Sequence, residues 1–238
     1  GQLGNVKEVH VWTDRPIWPQ GEKRAASKPV PSTLNWEAWI GPAAFRPYAE
    51  GYHPFKWRGW WDFGTGALGD MACHTCNLPF MALNMRDPSS VEAECPEHDR
   101  DSYPPRSKIK FEFPKLGDRA AFTMYWYDGG NLPDRELFKG VKLTQKGDDG
   151  KEVPPPHQSG VLLVGDKATM YAAGDYAERG VEIVGDVKEL DVDYPRSPGH
   201  EKEWFNAMRD PKKKPATSNF PDYAGPLTET ILLGTLAA

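Results

Sequence analysis

The chain has 238 residues, 39% of them hydrophobic, and a formal net charge of −5, which allows a sizeable core in one large domain or two small ones. Basic residues are scattered apart from Lys212-Lys213-Lys214, so no basic face for nucleic acid is visible, and no apolar run approaches the roughly 18 residues of a membrane span. Three cysteines, Cys73, Cys76 and Cys95, are too few for a disulfide scaffold.

In chain order, "NVKEVHVWTD" puts Val9 and Val11 on one face, with Val6 at the start, and reads as a half-buried strand. A loop rich in Pro, Lys and Arg follows over residues 15–32, around Trp18. Thr33 is the expected cap of a short helix over "LNWEAWIG", stopped by Gly41-Pro42. Residues 42–62 read as an aromatic, basic loop. The first long helix is expected over residues 67–83, with a kink at Pro79, which lacks a donor and crowds the Thr75 carbonyl. Strands are expected at 90–95, 108–113, 120–127, 160–165, 168–173 and 180–185, with "VGDKATMY" turning a hairpin, and helices at 199–209 and 222–237. Strands in a block, without βαβ alternation, predict an α+β fold whose sheet has one covered face. The first residues read directly as a strand and "ETILLGTLAA" stops inside a helical pattern, so the sequence reads as part of a longer protein, cut at both ends.

The stretch "GTGALGDMACHTC", residues 64–76, carries three overlapping patterns. Gly64, Gly66 and Gly69 fit the dinucleotide fingerprint, with Asp87 near its expected acidic position. That fingerprint needs a preceding buried strand, and "KWRGWWDF" is bulky and charged instead. The glycines still allow close backbone approach to a ligand at a helix start. Cys73 and Cys76 form C-x-x-C inside the helix, too deep for a redox pair. A zinc site would need two more ligands, for which Cys95 and His98 have suitable spacing; small core residues are the simpler reading, and no metal is assigned. Asp70 and His74 share a helix face, with Asn77 continuing the stripe. A carboxylate near the helix start can orient an imidazole, and the imidazole can take or give a hydroxyl proton. A surface Asp–His pair of little energetic value is the alternative.

The neighbouring loop sets Trp57, Trp60 and Trp61 beside Lys56, Arg58 and Asp62. Tryptophan faces stack on sugar C–H faces while charged groups bind hydroxyls or a carboxylate; core tryptophans with snorkelling basic residues are the alternative. Arg15 and Trp18 are similar candidates, whereas His10 and His200 read as structural.

Five blocks resemble one family in the right order: "GQLGNVKEVHVWT", "WWDFGTGALGDMACHTCNLPFMAL", "GVLLVGDKATMY", "SPGHEKEWFNAM" and "NFPDYAGPLTETILLG". Together they resemble the C-terminal domain of the Gfo/Idh/MocA oxidoreductases, in the bacterial branch, across essentially the whole chain. The resemblance implies a large, mostly antiparallel sheet with helices on one face, acting as a substrate-binding and oligomerisation domain over residues 1–238. It implies a separate N-terminal Rossmann domain for NAD or NADP; this chain has neither that domain's strand-led fingerprint nor the family's E-K-P motif. By resemblance His74 is the catalytic histidine and Asp70 its carboxylate partner. The family often has Asp three residues after the histidine, where Asn77 stands here.

The expected function is reversible oxidation of a secondary hydroxyl on a sugar, sugar acid or cyclitol. His74 and Asp70 would be catalytic; Arg58, Trp61, Asp62, Arg15, Asn77 and Lys56 would hold substrate; Gly64 and Gly66 would lie near the nicotinamide. A homo-oligomer through the sheet face is expected, with no nucleic-acid or membrane partner. An NAD-dependent glycosidase of the same family and a non-catalytic ligand-binding or oligomerisation module are the alternatives. Cytoplasmic and exported settings both stay open.

Overall fold

A computed structural model describes residues 1–147, 149–188 and 192–238. Its centre is strand β1 (Val6–Trp12). Val9 and Val11 point to one side, and Glu8, His10 and Trp12 to the other, as a period of two requires. Val6 faces the same side as Val9 despite the odd spacing, because a bulge between Val6 and Glu8 inserts one extra residue against the neighbouring strand.

The remaining strands are β2 (Ser90–Glu94), β3 (Lys108–Phe113), β4 (Phe122–Tyr127), a two-residue ribbon of β5 (Gln145–Lys146) and β6 (Glu152–Val153), then β7 (Gly160–Gly165), β8 (Ala168–Ala173) and β9 (Val181–Gly185). The main sheet runs β2-β3-β4-β1-β7-β8-β9. Only the β1–β4 pairing is parallel; the other five pairings of this sheet are antiparallel. The large, mostly antiparallel α+β sheet expected from the sequence is thus present.

Helices α2 (Gly66–Thr75), α3 (Asn77–Leu83) and α5 (Gly225–Ala237) cover one face. Under them Phe111, Trp126, Met124, Val9 and Leu163 lie fully buried with Met71, Ala72 and Phe80 of the helices. Each large apolar side chain so removed from water contributes about 1.5–3 kcal/mol. The other face is partly covered by the segment after β4, where Phe138 packs edge-on against Trp12 and Tyr171. A third cluster lies outside the sheet: Trp36 and Ile40 of the short helix α1 (Trp36–Ile40) bury one another with Ala49, Tyr52 and Trp60 from the following loop. The residues 42–62 read as loop therefore supply core.

Some strand ends differ from the sequence reading by one or two residues, as at β4, which begins at Phe122 and not at residue 120, and the helices differ further. Helix α1 is capped by Asn35, whose side chain accepts from the Ala38 N–H, and not by Thr33. The long helix over 67–83 is two helices, broken at Cys76. Pro79 has no N–H to donate to the Thr75 carbonyl, and the break falls one residue after that carbonyl. The last helix begins later than expected, after a wider turn over Phe220–Ala224. Helix α4 (His200–Arg209) has no buried residue and exposes Trp204, Phe205 and Met208. Among the described residues no helix is long and apolar enough to cross a membrane.

Candidate functional site

Helix α2 buries Ala67, Leu68, Met71, Ala72 and Thr75 against the sheet. That stripe, repeating every three or four residues, leaves Asp70 and His74 on the outward side, half-buried, with exposed Asn77 at the start of α3. A short 3-10 turn, Lys56–Gly59, lies beside them and delivers Arg58.

Arg58 Nε–H donates to Asp70 Oδ1 at 3.1 Å, and Nη1 donates to the Phe55 carbonyl at 3.1 Å. The guanidinium lies 4.7 Å from the ring centroids of both Phe55 and Trp57, and 5.9 Å from that of Trp18. Aromatic faces attract the cation and hold its plane. The Asp70 carboxylate is thus committed to Arg58. Among the described residues no hydrogen bond joins Asp70 to His74. The His74 ring instead lies against the Tyr176 ring, centroids 5.0 Å apart. The orienting hydrogen bond expected from the helix spacing is not made: the arginine, a full positive charge, takes the carboxylate. Asn77 Oδ1 accepts from the Tyr223 hydroxyl at 2.6 Å.

The other nominated residues point elsewhere. Trp61 stacks on Tyr103 with centroids 4.5 Å apart and lies near His98. Asp62 pairs with Arg46 and, at 4.0 Å, with Arg24. Arg15 pairs with its neighbour Asp14, and its carbonyl accepts from the Gly129 N–H. Lys56 is exposed at the head of the turn. The structure therefore joins Arg58 to Asp70 directly. It sets Asn77 on the same outward stripe and turns Trp61 and Asp62 to other partners.

The glycine pattern has a packing explanation. A Cβ on Gly64 would lie 2.3 Å from the Arg58 carbonyl oxygen, so only glycine lets α2 follow the turn this closely. Gly66 has φ +64°, and its Cβ would lie 2.7 Å from the Tyr103 ring. A Cβ on Gly69 would strike the Thr65 hydroxyl. The close approach expected toward a ligand is made to protein atoms, and a 3-10 turn, not a strand, precedes the helix. These residues do not fit a dinucleotide phosphate.

Cys76 belongs to the core, and burial pushes its thiol far up. Burial, then the Asp70 carboxylate, push Cys73 up as well, and its Sγ–H donates to the Asp70 carbonyl. Neither is a reactive thiolate. His98 turns to the Ala238 carbonyl. His10 is buried, its nitrogens 3.0 Å from the Tyr127 hydroxyl and 3.0 Å from Glu8 Oε2, and burial lowers its pKa.

Four residues had no sequence signal. Tyr176 arrives from the β8–β9 loop and Tyr223 from the wide helical turn before α5. Arg46 is buried beside Asp62. Asp128 lines a cavity of about 20 Å³ behind the start of α2, together with Thr65, Ser107 and Thr235. Its carboxylate accepts from Trp126 Nε1–H, the Ser107 hydroxyl and the Ser107 N–H; burial nevertheless pushes it up to about 6.

Residues 5–118 match the family described as "Oxidoreductase family, C-terminal alpha/beta domain". No curated protein matches the chain. Among solved structures, the WlbA dehydrogenase from Bordetella pertussis, in complex with NADH and UDP-GlcNAcA, is 14% identical. That match has a TM-score of 0.48 and covers 98% of this chain and 52% of that one. The WlbA dehydrogenase from Chromobacterium violaceum, with the same ligands, is 14% identical, with a TM-score of 0.44, covering 100% and 53%. The chain spans about half the length of these structures.

Proposed function

We propose that this chain, whose residues 5–118 match the C-terminal α/β domain of an oxidoreductase family, is a Gfo/Idh/MocA-type domain with a carbohydrate dehydrogenase role. The observation that carries the reading is the outward stripe of α2. Asp70 and His74 stand there unpaired with each other, beside an arginine held between aromatic faces, within the matched region.

His74 would take the proton of a secondary hydroxyl as the alcohol is oxidised, and return it in the reverse direction. Asp70 would supply a fixed negative charge near the imidazolium so formed. Arg58 keeps Nη2 free of any side-chain bond among the described residues, and Asn77 keeps its amide N–H groups; both would hold hydroxyls of the substrate. Lys56 borders the same side. Trp61, Asp62 and Arg15 are occupied by other protein groups, which leaves them supporting roles. NAD or NADP would be held by a nucleotide-binding domain outside these residues, since a 3-10 turn and not a buried strand precedes α2. The sheet face opposite the helices, with Glu8, Lys108 and Tyr125 on it, would meet a second copy of the chain.

The test is an NAD(P)H assay at 340 nm on the full-length protein with sugars, sugar acids and cyclitols. Turnover should be lost in His74→Ala and kept in Cys73→Ala. Sugar release without NADH accumulation would favour the glycosidase chemistry, and turnover untouched by His74→Ala would sink the assignment.

A further inference from the structure

Tyr176 sits on the loop between β8 and β9 and is 64% exposed, an unusual position for a large aromatic with no polar task. The loop is tightly built. Gly174 takes φ +92° and Ala177 φ +62°. The Gly174 N–H donates to the Ser159 carbonyl at 3.0 Å and the Arg179 N–H to the Ala173 carbonyl at 3.1 Å. Glu178 Oε2 accepts from the Tyr176 N–H at 2.8 Å. The result is a rigid mount that presents the phenol ring outward, over α2.

The only ring packed on the His74 imidazole among the described residues is that of Tyr176, at 5.0 Å and 56° between planes. This lies within the range of favourable aromatic contacts. Asp70 is bonded to Arg58, and the His74 imidazole has no hydrogen-bond partner among the described residues. We propose that Tyr176 is the positioning residue of His74, fixing the imidazole plane by ring packing where helix spacing alone would assign that task to Asp70. The inference rests on His74 being the proton-transferring group proposed above.

Ring packing has a chemical consequence that a carboxylate bond lacks. A carboxylate occupies one imidazole nitrogen and fixes the tautomer. An aromatic face restricts the rotamer and leaves both nitrogens open, one for the substrate hydroxyl and one for solvent or a second substrate group. Partial burial, then the nearby Asp175, Cys73, Glu178 and Asp70, push the Tyr176 phenol up, so its hydroxyl stays a donor at neutral pH.

The test is NMR of the full-length protein labelled at histidine Cε1, with the His74 resonance assigned by its disappearance in His74→Gln. In wild type and Tyr176→Phe the His74 proton should carry the shift of a neighbouring aromatic ring current. In Tyr176→Ala and Tyr176→Leu that shift should collapse toward the free-histidine value, while the buried His10 and His157 resonances stay in place and certify the fold. The same two variants should lower kcat more than they raise KM, with Phe rescuing both readouts. A His74 resonance identical in wild type and Tyr176→Ala overturns the role of Tyr176 and leaves the proposed function standing. Turnover that survives His74→Ala overturns both.

Discussion

The first turn of helix α2 and its outward stripe are neighbours in the chain and behave oppositely. At the first turn every unusual residue is matched by a protein neighbour: Gly64 by the Arg58 backbone, Gly66 by Tyr103, Gly69 by Thr65. On and beside the stripe, Asp70, His74, Asn77 and the neighbouring Arg58 stay at least partly open to solvent, and among the described residues the imidazole has only the tilted Tyr176 ring against it. Glycines that admit backbone are a packing device, whereas polar side chains on an apolar helix without full internal partners are what a ligand-binding site requires. The most motif-like residues therefore build the helix, and the less motif-like ones face the solvent.

The largest expected effect breaks the stripe. His74→Ala should lower kcat by about 100- to 10,000-fold, the usual contribution of a general base, while stability changes by under about 0.5 kcal/mol for a surface-directed side chain. Breaking the first turn should do the reverse. Gly64→Ala forces a Cβ into the Arg58 carbonyl and should cost about 3 kcal/mol in urea unfolding, with residual activity tracking the folded fraction.

Behind that turn, Asp128 sharpens the contrast through pH. Burial raises its folded-state pKa from 3.8 to about 6, so the folded protein binds the proton more tightly than the unfolded chain. The associated stability is fully present below about pH 4 and is lost as pH rises through about 6, a change of about 3 kcal/mol. Asp128→Asn should flatten this part of the pH–stability curve measured by thermal melting. Arg58→Ala removes a partly exposed ion pair, worth up to about 1 kcal/mol of stability, and should act mainly by raising KM. Cys73→Ala should be the quietest, with kcat within about twofold of wild type, because the thiol is protonated and packed.

Much of the fold was legible because the strands obey simple alternation. Ile109, Phe111 and Phe113 are all buried on one face, as are Phe122, Met124 and Trp126. The helix break was legible in cause, the Thr75 carbonyl that Pro79 cannot serve, and it falls at Cys76, one residue after that carbonyl. The site was legible in part. Helix periodicity correctly puts Asp70 and His74 on one side, since that depends only on the backbone. It cannot tell which partner reaches Asp70, because Arg58 arrives from a 3-10 turn that runs into Trp60, a member of the cluster around Trp36 and Tyr52. Trp61 and Asp62 were nominated for the chemistry of their types, and their real neighbours, Tyr103 and Arg46, depend on tertiary packing. Tyr176 and Asp128 carry no local pattern at all, and only the folded sheet brings the first over α2 and the second behind it.

The most direct test of the central claim is kcat of His74→Gln in the full-length protein, on whichever carbohydrate gives turnover, at a melting temperature matching wild type. The account predicts a fall of at least about 100-fold. Unchanged kcat would contradict it and make the outward stripe of α2 another piece of surface.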